Sequence, residues 1–398
     1  MAFRDELSEY SGHDGAGANI YLVRGREPIL RMRAVLAEFS RRCGQAGATD
    51  DIGYFLSKPG ILQRAPQLLL FTRSPEPDPA NVTAASLTGA LLLYRYKALG
   101  CDLRMLTTND RSGRGTVVAP PGSRAKVASA ASRWLLDRGA LAVMISFRDA
   151  GSGIGSEEPL TNGPDGGSRL RWARREREVM EYLPLAATYD GTLAGIGQRT
   201  RRNMRYYRRQ AEAQLGCVFV PEVKIAEPEF LAFNRTCMYA VPAQAAAWRY
   251  RSLGDLSEPL LMGTRDKDGH WLSLLGGRRR RDGAEILWQM NRDGLANYSL
   301  GVVMRSYFIE HEIGAGMRRL YMDGGTAHPI RFSFVKEKVN DLVVLRRSLL
   351  GSLIPRVAKH FVKYDNELAV MLVDRDLRWN SSEKGLVTRP RASVTSEI

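Results

Sequence analysis

The chain has 398 residues, 44% of them hydrophobic, and a formal net charge of +15. That length and apolar content suffice for a large core, expected to form two domains. The excess of basic residues points to anionic partners such as nucleic acid, anionic lipid or phosphorylated substrates, unless it records only an arginine-rich codon bias. No apolar run approaches the ~20 residues of a membrane span. Asp5, Glu6 and Glu9 stand where a leader would be basic and then apolar, so a cytoplasmic location is expected. Cys43, Cys101, Cys217 and Cys237 form no Cys-x-x-Cys pair, and the histidines show no His-x-x-x-His spacing. Neither a disulfide framework nor a metal site is expected.

In chain order, Ile20–Val23 predicts a strand and Leu30–Cys43 a helix. Short strands follow at Leu68–Phe71, Leu87–Tyr96, Leu103–Leu106 and Gly115–Val118. Pro120-Pro121-Gly122-Ser123 then turns into a helix over 124–136 and a strand over 141–147. The stretch 149–168 is rich in Gly, Ser and acid and reads as a flexible linker. Glu176–Leu185 predicts a strand and Thr192–Gln214 a helix closed by Gly216. That helix carries six arginines between Arg199 and Arg209. Arginine makes bidentate contacts to phosphate or carboxylate, whereas a solvated helix face needs no ligand at all.

A strand over 218–223, helices over 227–239 and 243–252, and a hairpin over 259–276 come next. Arg278–Arg281 reads as a basic loop. Ile286, Trp288 and Met290 alternate with Glu285, Leu287 and Gln289, which is strand spacing. Asn291–Asn297 is a polar loop. Leu300, Val303, Met304, Tyr307, Phe308 and His311 mark one face of a helix, with Asn297 or Ser299 to cap it and Gly314 or Gly316 to end it. Leu320–Asp323 returns as a strand. Strands over 330–334 and 342–346, a helix over 352–364, an apolar run over 368–373 and a disordered tail from 379 complete the prediction.

A strand-loop-helix-strand unit leaves the first-turn amides of its helix pointing out of the sheet end, where they and the helix dipole favour an anion. The spacing Asn291-x-x-Gly294-x-Ala296 resembles the pyrophosphate loop of the GNAT N-acetyltransferases, Gln/Arg-x-x-Gly-x-Gly/Ala, with Asn in the first position. Two strand-turn-helix-strand units, one per half, resemble the FemABX peptidyltransferases and the CelD-like acyltransferases. The stretches Tyr182–Leu185, Thr200-Arg201-Arg202-Asn203, Tyr298-Ser299-Leu300-Gly301 and Asp323-Gly324-Gly325 are similar to the CelD-like domain. Where that family continues to a Tyr-Lys pair, this chain has His328-Pro329-Ile330-Arg331 and Phe334-Val335-Lys336.

The resemblance implies a mixed α/β (α+β) fold of two GNAT-like halves, each a mostly antiparallel sheet with a β-α-β unit. The expected N-terminal half is 18–148, without catalysis because Pro120 and Pro121 lack amide donors, and the C-terminal half is 176–375. The implied reaction moves an acyl group from acyl-CoA, acetyl-CoA included, to an amine of a cell-envelope or polysaccharide-type acceptor. Asn291, Gly294, Ala296, Asn297, Ser299 and Gly301 are the expected cofactor loop. Asp323 is the candidate base or amine binder and Tyr298 the candidate acid or donor contact; a turn-forming Asp and a packing Tyr are the plainer accounts. Arg201, Arg202 and Arg205 are candidates for an anionic acceptor or the cofactor's 3′-phosphate. Two other readings stay open: an aminoacyl-tRNA donor, as in FemABX enzymes, and a scaffold without chemistry that binds RNA or an anionic surface through 199–209 and 278–281.

Overall fold

Runs of Leu, Val, Ile and Phe bounded by turn formers make the strands of this chain, and a computed structural model shows how they pair. It describes residues 9–13, 19–45, 51–56, 63–73, 81–98, 101–108, 116–148, 170–281, 283–322, 329–346 and 380–381. In the first half come strands β1 (Glu9–His13) and β2 (Asn19–Arg24), and helices α1 (Arg26–Arg31), α2 (Arg33–Arg42) and α3 (Ile52–Leu56). Strands β3 (Gln63–Thr72), β4 (Leu87–Ala98), β5 (Cys101–Thr107) and β6 (Val117–Val118) follow, then α4 (Arg124–Asp137) and β7 (Ala142–Phe147).

The second half opens with β8 (Leu170–Pro184), α5 (Tyr189–Ala194), α6 (Gln198–Leu215), β9 (Val218–Val220), α7 (Glu227–Arg235) and α8 (Ala243–Leu253). It continues with β10 (Pro259–Arg265), β11 (Trp271–Arg280), β12 (Gly283–Asn291), α9 (Leu300–Gly314), β13 (Arg319–Met322) and β14 (Val335–Arg346).

All these strands lie in one sheet. Its path is β1-β2-β3-β4-β5-β7-β14-β8-β13-β12-β11-β10-β9, with β6 beside β4. Read from both ends the order mirrors itself: an antiparallel series, a parallel pair around a crossover helix, then a central ribbon. The parallel pairs are β5 with β7 around α4, and β12 with β13 around α9. The central ribbon exchanges strands between halves. β14, which follows β13 in the chain, pairs with β7 of the first half, while β8, which follows β7, pairs with β13 of the second. β8 and β14 then pair with each other from Val335↔Tyr182 to Arg346↔Leu170. The architecture is therefore mixed α/β with a mostly antiparallel sheet, as the sequence implies.

The halves also share a core. Ile29, Leu36, Phe39 and Phe55 of the first pack in one cluster with Phe230, Phe233, Leu253 and Trp288 of the second. Arg33 donates to the carbonyl of Asp255 (2.9 Å), and Asp51 pairs with Arg278 (3.2 Å). On the opposite face, α4 covers the first half, and α5, α6 and α9 cover the second.

Several predicted boundaries move. The helix predicted over 192–214 is two, broken at Gly195–Gly197, and Gly216 closes the second in the left-handed region (φ 58°) as expected. The helix predicted over 30–43 likewise breaks at Met32. The strand predicted over 330–334 is a 3-10 turn, Pro329–Ser333, and the next strand starts at Val335. Arg278–Arg280 is not loop but the end of β11. The linker 149–168, the helix 352–364 and the apolar run 368–373 lie outside the described residues, as do 382–398 of the tail.

Candidate active site

Over the described residues, β12 pairs with β13 in parallel from Gly283↔Arg319 to Ile286↔Met322. β12 continues to Asn291 beside β11, and the turn Thr236–Met238 bonds to its other edge at that end. In open α/β sheets the crevice outside the carboxyl ends of the parallel strands is where ligands bind. The loop from β12 to α9 starts at that end of β12.

Main-chain bonds fix the base of that loop. The Met238 amide donates to the Asn291 carbonyl (3.0 Å), Arg292 N to Leu272 O (2.9 Å) and Asp293 N to Thr236 O (2.9 Å). Gly294 then turns at φ 76°, a backbone that glycine adopts without strain, and a Cβ there would meet open space. Ala296–Tyr298 form a single 3-10 turn into α9.

Asn291 faces inward. Its Oδ1 accepts from Ser273 Oγ (3.0 Å) and Gln289 Nε2 (2.9 Å), and Gln289 Nε2 also donates to the Gly301 carbonyl (3.2 Å). A Cβ on Gly301 would sit 3.2 Å from Asn291 Nδ2. Asn291 and Gln289 therefore buttress the start of α9, and Gly301 permits the close contact.

Ser299 occupies the N-cap position with φ 46° and ψ 52°, the left-handed region, and its side chain makes no cap bond. An ordinary N-cap is extended, with its side-chain oxygen on the amide of N2 or N3. Here the Ser299 carbonyl receives the Val302 and Val303 amides (2.7 and 3.2 Å). Among the described residues, the amides of Leu300 and Gly301 have no acceptor. The helix entrance is open.

Tyr298 is half-buried and its hydroxyl donates to Gln214 at the end of α6 (3.0 Å). It ties the loop to α6. Asp323 follows directly on β13 in sequence but lies outside the described residues, as does His328.

The arginines of α6 are not gathered at this opening. Gln214, at the end of α6, touches Tyr298 before α9, whereas Arg208 reaches Glu310 near the α9 end (2.7 Å), so the helices run antiparallel. Arg201 and Arg202 therefore lie about 20 Å of helix from the loop. Arg205 pairs with Asp190 (2.7 Å). Arg208 also accompanies Glu212 (3.0 Å) and covers the Tyr307 ring (4.1 Å). Burial would raise the Glu212 carboxyl, but the Tyr307 hydroxyl and Arg208 together hold it below its usual range. Tyr307, donating to Glu212 (2.7 Å), is pushed up, first by burial.

Sequence reading missed how deeply α9 is enclosed. Arg305, Ser306, Ile309 and Glu312 are buried along with the predicted face. The available signal was Arg305 itself, a lone cation amid apolar residues.

No family model matches the chain, and no curated protein matches it in sequence. Solved structures do match. A conserved protein of unknown function from Bacteroides thetaiotaomicron superposes on 81% of this chain and 99% of its own, at 10% identity and a TM-score of 0.51. FemX covers 77% of this chain and 95% of its own at 8% identity and TM-score 0.48. A tandem GNAT protein from the clavulanic acid biosynthesis pathway covers 83% and 99% at 10% identity and TM-score 0.40.

The chain shares with the Bacteroides protein a mixed α/β fold, here built on one mostly antiparallel sheet. At such identities the likeness concerns the fold and leaves donor and acceptor to be argued from the site. β12, α9 and β13 form the strand-helix-strand unit that carries the sequence resemblance. Among the described residues, no helix is long and apolar enough to cross a membrane.

Proposed function

We propose that the chain is an acyltransferase that takes an acyl group from acyl-CoA and delivers it to an amine, with the donor's pyrophosphate at the start of α9. The observation that carries this reading is Ser299. Its left-handed backbone turns the natural capping oxygen away and leaves the amides of Leu300 and Gly301 without an acceptor among the described residues, beside the carboxyl end of β12. Backbone held in a sparsely populated region persists where surrounding structure enforces it, commonly at ligand sites. Bare helix amides with the helix dipole behind them favour phosphate.

In this reading Gly294, Ala296, Asn297, Ser299 and Gly301 present backbone to the donor, and Asn291 supports them from behind. The acceptor amine must lose a proton as the new bond forms. Asp323, next in the chain after β13, is the proposed base, and Tyr298 the proposed contact to the departing thiolate. An amine on a cell-envelope or polysaccharide-type acceptor remains the proposed recipient.

Calorimetry with acetyl-CoA and longer acyl-CoA on the native chain, Gly294→Trp and Ser299→Asp tests the reading. An aspartate at 299 puts a negative charge at the helix entrance, which the helix dipole favours and which repels a pyrophosphate. Both variants should bind acyl-CoA at least about tenfold more weakly, a loss of roughly 1.4 kcal/mol, while Ser299→Asp melts no lower than the native chain. Undiminished binding in Ser299→Asp would remove the donor from this loop. An arm with aminoacyl-tRNA distinguishes the FemABX type of donor.

A further inference from the structure

Both carboxylates of α9 are committed: Glu310 to Arg208 (2.7 Å) and Glu312 to Arg279 (3.0 Å). Arg305 on the same helix has no such partner. It is 7% exposed, and among the described residues nothing accepts a hydrogen bond from it; its Nε is wholly enclosed. The charged group that acts on it is another cation, Arg331 of the 3-10 turn Pro329–Ser333. Arg331 donates through Nη2 to the Met322 carbonyl (3.1 Å), and its own Nε is buried without an acceptor. Burial, and then the repulsion of Arg331, pushes Arg305 down to about 10.

An unpaired buried charge is costly, and a second like charge makes it more so. The surrounding structure nevertheless holds both groups in place. Ile330, beside Arg331, packs in one cluster with Met304 and Phe308 of α9 and Met322 of β13. Helical side chains lean toward the N-terminus, so the Arg305 guanidinium extends over the turn that begins at Gly301. Arg331 is anchored at the carbonyl of Met322, which β13 pairs with Ile286 of β12. The two forks therefore lie toward the carboxyl end of β13 and the first turns of α9.

We infer that Arg305 and Arg331 form a built cradle for an oxyanion, a carboxylate or phosphate group carried by the acceptor. Two planar guanidiniums without an anion repel; with one between them they make charge-assisted, bidentate contacts. That the anion belongs to the acceptor rests on the transferase reading, in which the donor's phosphates occupy the α9 amides. The cradle itself rests only on the arrangement of the two arginines.

The test uses the full chain, with inorganic phosphate and acetate as probes in thermal-shift and calorimetric titrations. Variants are Arg305→Met, Arg331→Met and Ser299→Asp, and acetyl-CoA affinity is measured on each. Phosphate or acetate should raise the melting temperature of the native chain and of Ser299→Asp. Arg305→Met should melt above the native chain without anion, because an apolar side chain replaces an unpaired charge. Its anion affinity should fall roughly tenfold or more, with acetyl-CoA affinity within about twofold of native. Arg331→Met should lose the same anion response, which keeps the test decisive if Arg305→Met does not fold. An anion response equal to native in both methionine variants overturns the cradle. Joint loss of acetyl-CoA and anion binding in these variants overturns the assignment to the acceptor. Absence of acetyl-CoA binding in every chain, with the anion response lost only in the methionine variants, keeps the cradle and removes the transferase reading.

Discussion

Ser299 shows what a residue type predicts and what it leaves open. Its position at the start of α9 was legible, because Ser before an apolar helical face is a cap signal. Its conformation was not. Capping preference assumes an extended backbone, and here φ is 46° and ψ 52°. The left-handed region costs a non-glycine residue about 1 kcal/mol or more. Ser299→Gly should therefore raise stability by about 1 kcal/mol in urea unfolding, through relief of strain. Because the proposed donor contacts are backbone amides, acyl-CoA affinity should remain close to native in this variant. A fall in stability would show that the serine side chain supports the loop. Asn291 carries the same lesson: its spacing to Gly294 and Ala296 was readable, but its inward turn onto Ser273 and Gln289 depends on strand neighbours in β11 and β12.

At the scale of elements, β11 departs furthest from its predicted form. Arg278–Arg281 looked like loop because a run of like charges lacks periodicity and is ordinarily solvated. In the fold, Arg278 is 1% exposed, bound to Glu285 of β12 (2.8 Å) and Asp51 (3.2 Å), and stacked over Tyr54 (3.6 Å). Arg279 meets Glu312 of α9 (3.0 Å). These partners come from separate parts of the chain, so no local pattern could announce them. The run is thus largely occupied by internal ion pairs, which removes it from the anionic-surface reading. Arg278→Ala should cost about 3–5 kcal/mol in urea unfolding, because Glu285 and Asp51 would be left buried with their partner removed. Exposed Arg281→Ala should change stability by less than about 0.5 kcal/mol. Similar effects for the two would mean that the buried network contributes little. α9 matches its predicted apolar face, which α6 covers at Leu300, Val303 and Tyr307, whereas burial of its other side depends on Tyr189 of α5 against Ser306 and Arg279 of β11 against Glu312, partners no local pattern announces.

At the scale of the molecule, the order of elements was legible twice over, since each half repeats strands, a glycine turn, a helix and a strand. The sheet order was not. Pairing between β7 and β14 joins Phe147 to Asn340, and strands this apolar satisfy any register that buries them. The exchange of β8 and β14, and the core cluster that both halves line, make each half incomplete alone. A chain of residues 1–148 lacks β14 and exposes β7, so on its own it should give no cooperative thermal transition. Co-expression with 170–398 should recover a soluble, cooperatively melting complex. An independently melting 1–148 would show that the shared ribbon is dispensable to that half.

The exchanged ribbon also sets a timetable for synthesis. β7, buried along its whole length in the finished protein, emerges from the ribosome well before the strand that will flank it. At roughly 5–20 residues per second, its open edge waits on the order of ten seconds or more for β14. β8 arrives sooner, and a hairpin closed by β8 on β7 would shut out the native neighbour. The nascent chain must therefore keep an adhesive strand edge unoccupied through that interval, a natural point for chaperone assistance and a natural origin for aggregates when translation stalls between Phe147 and Val335.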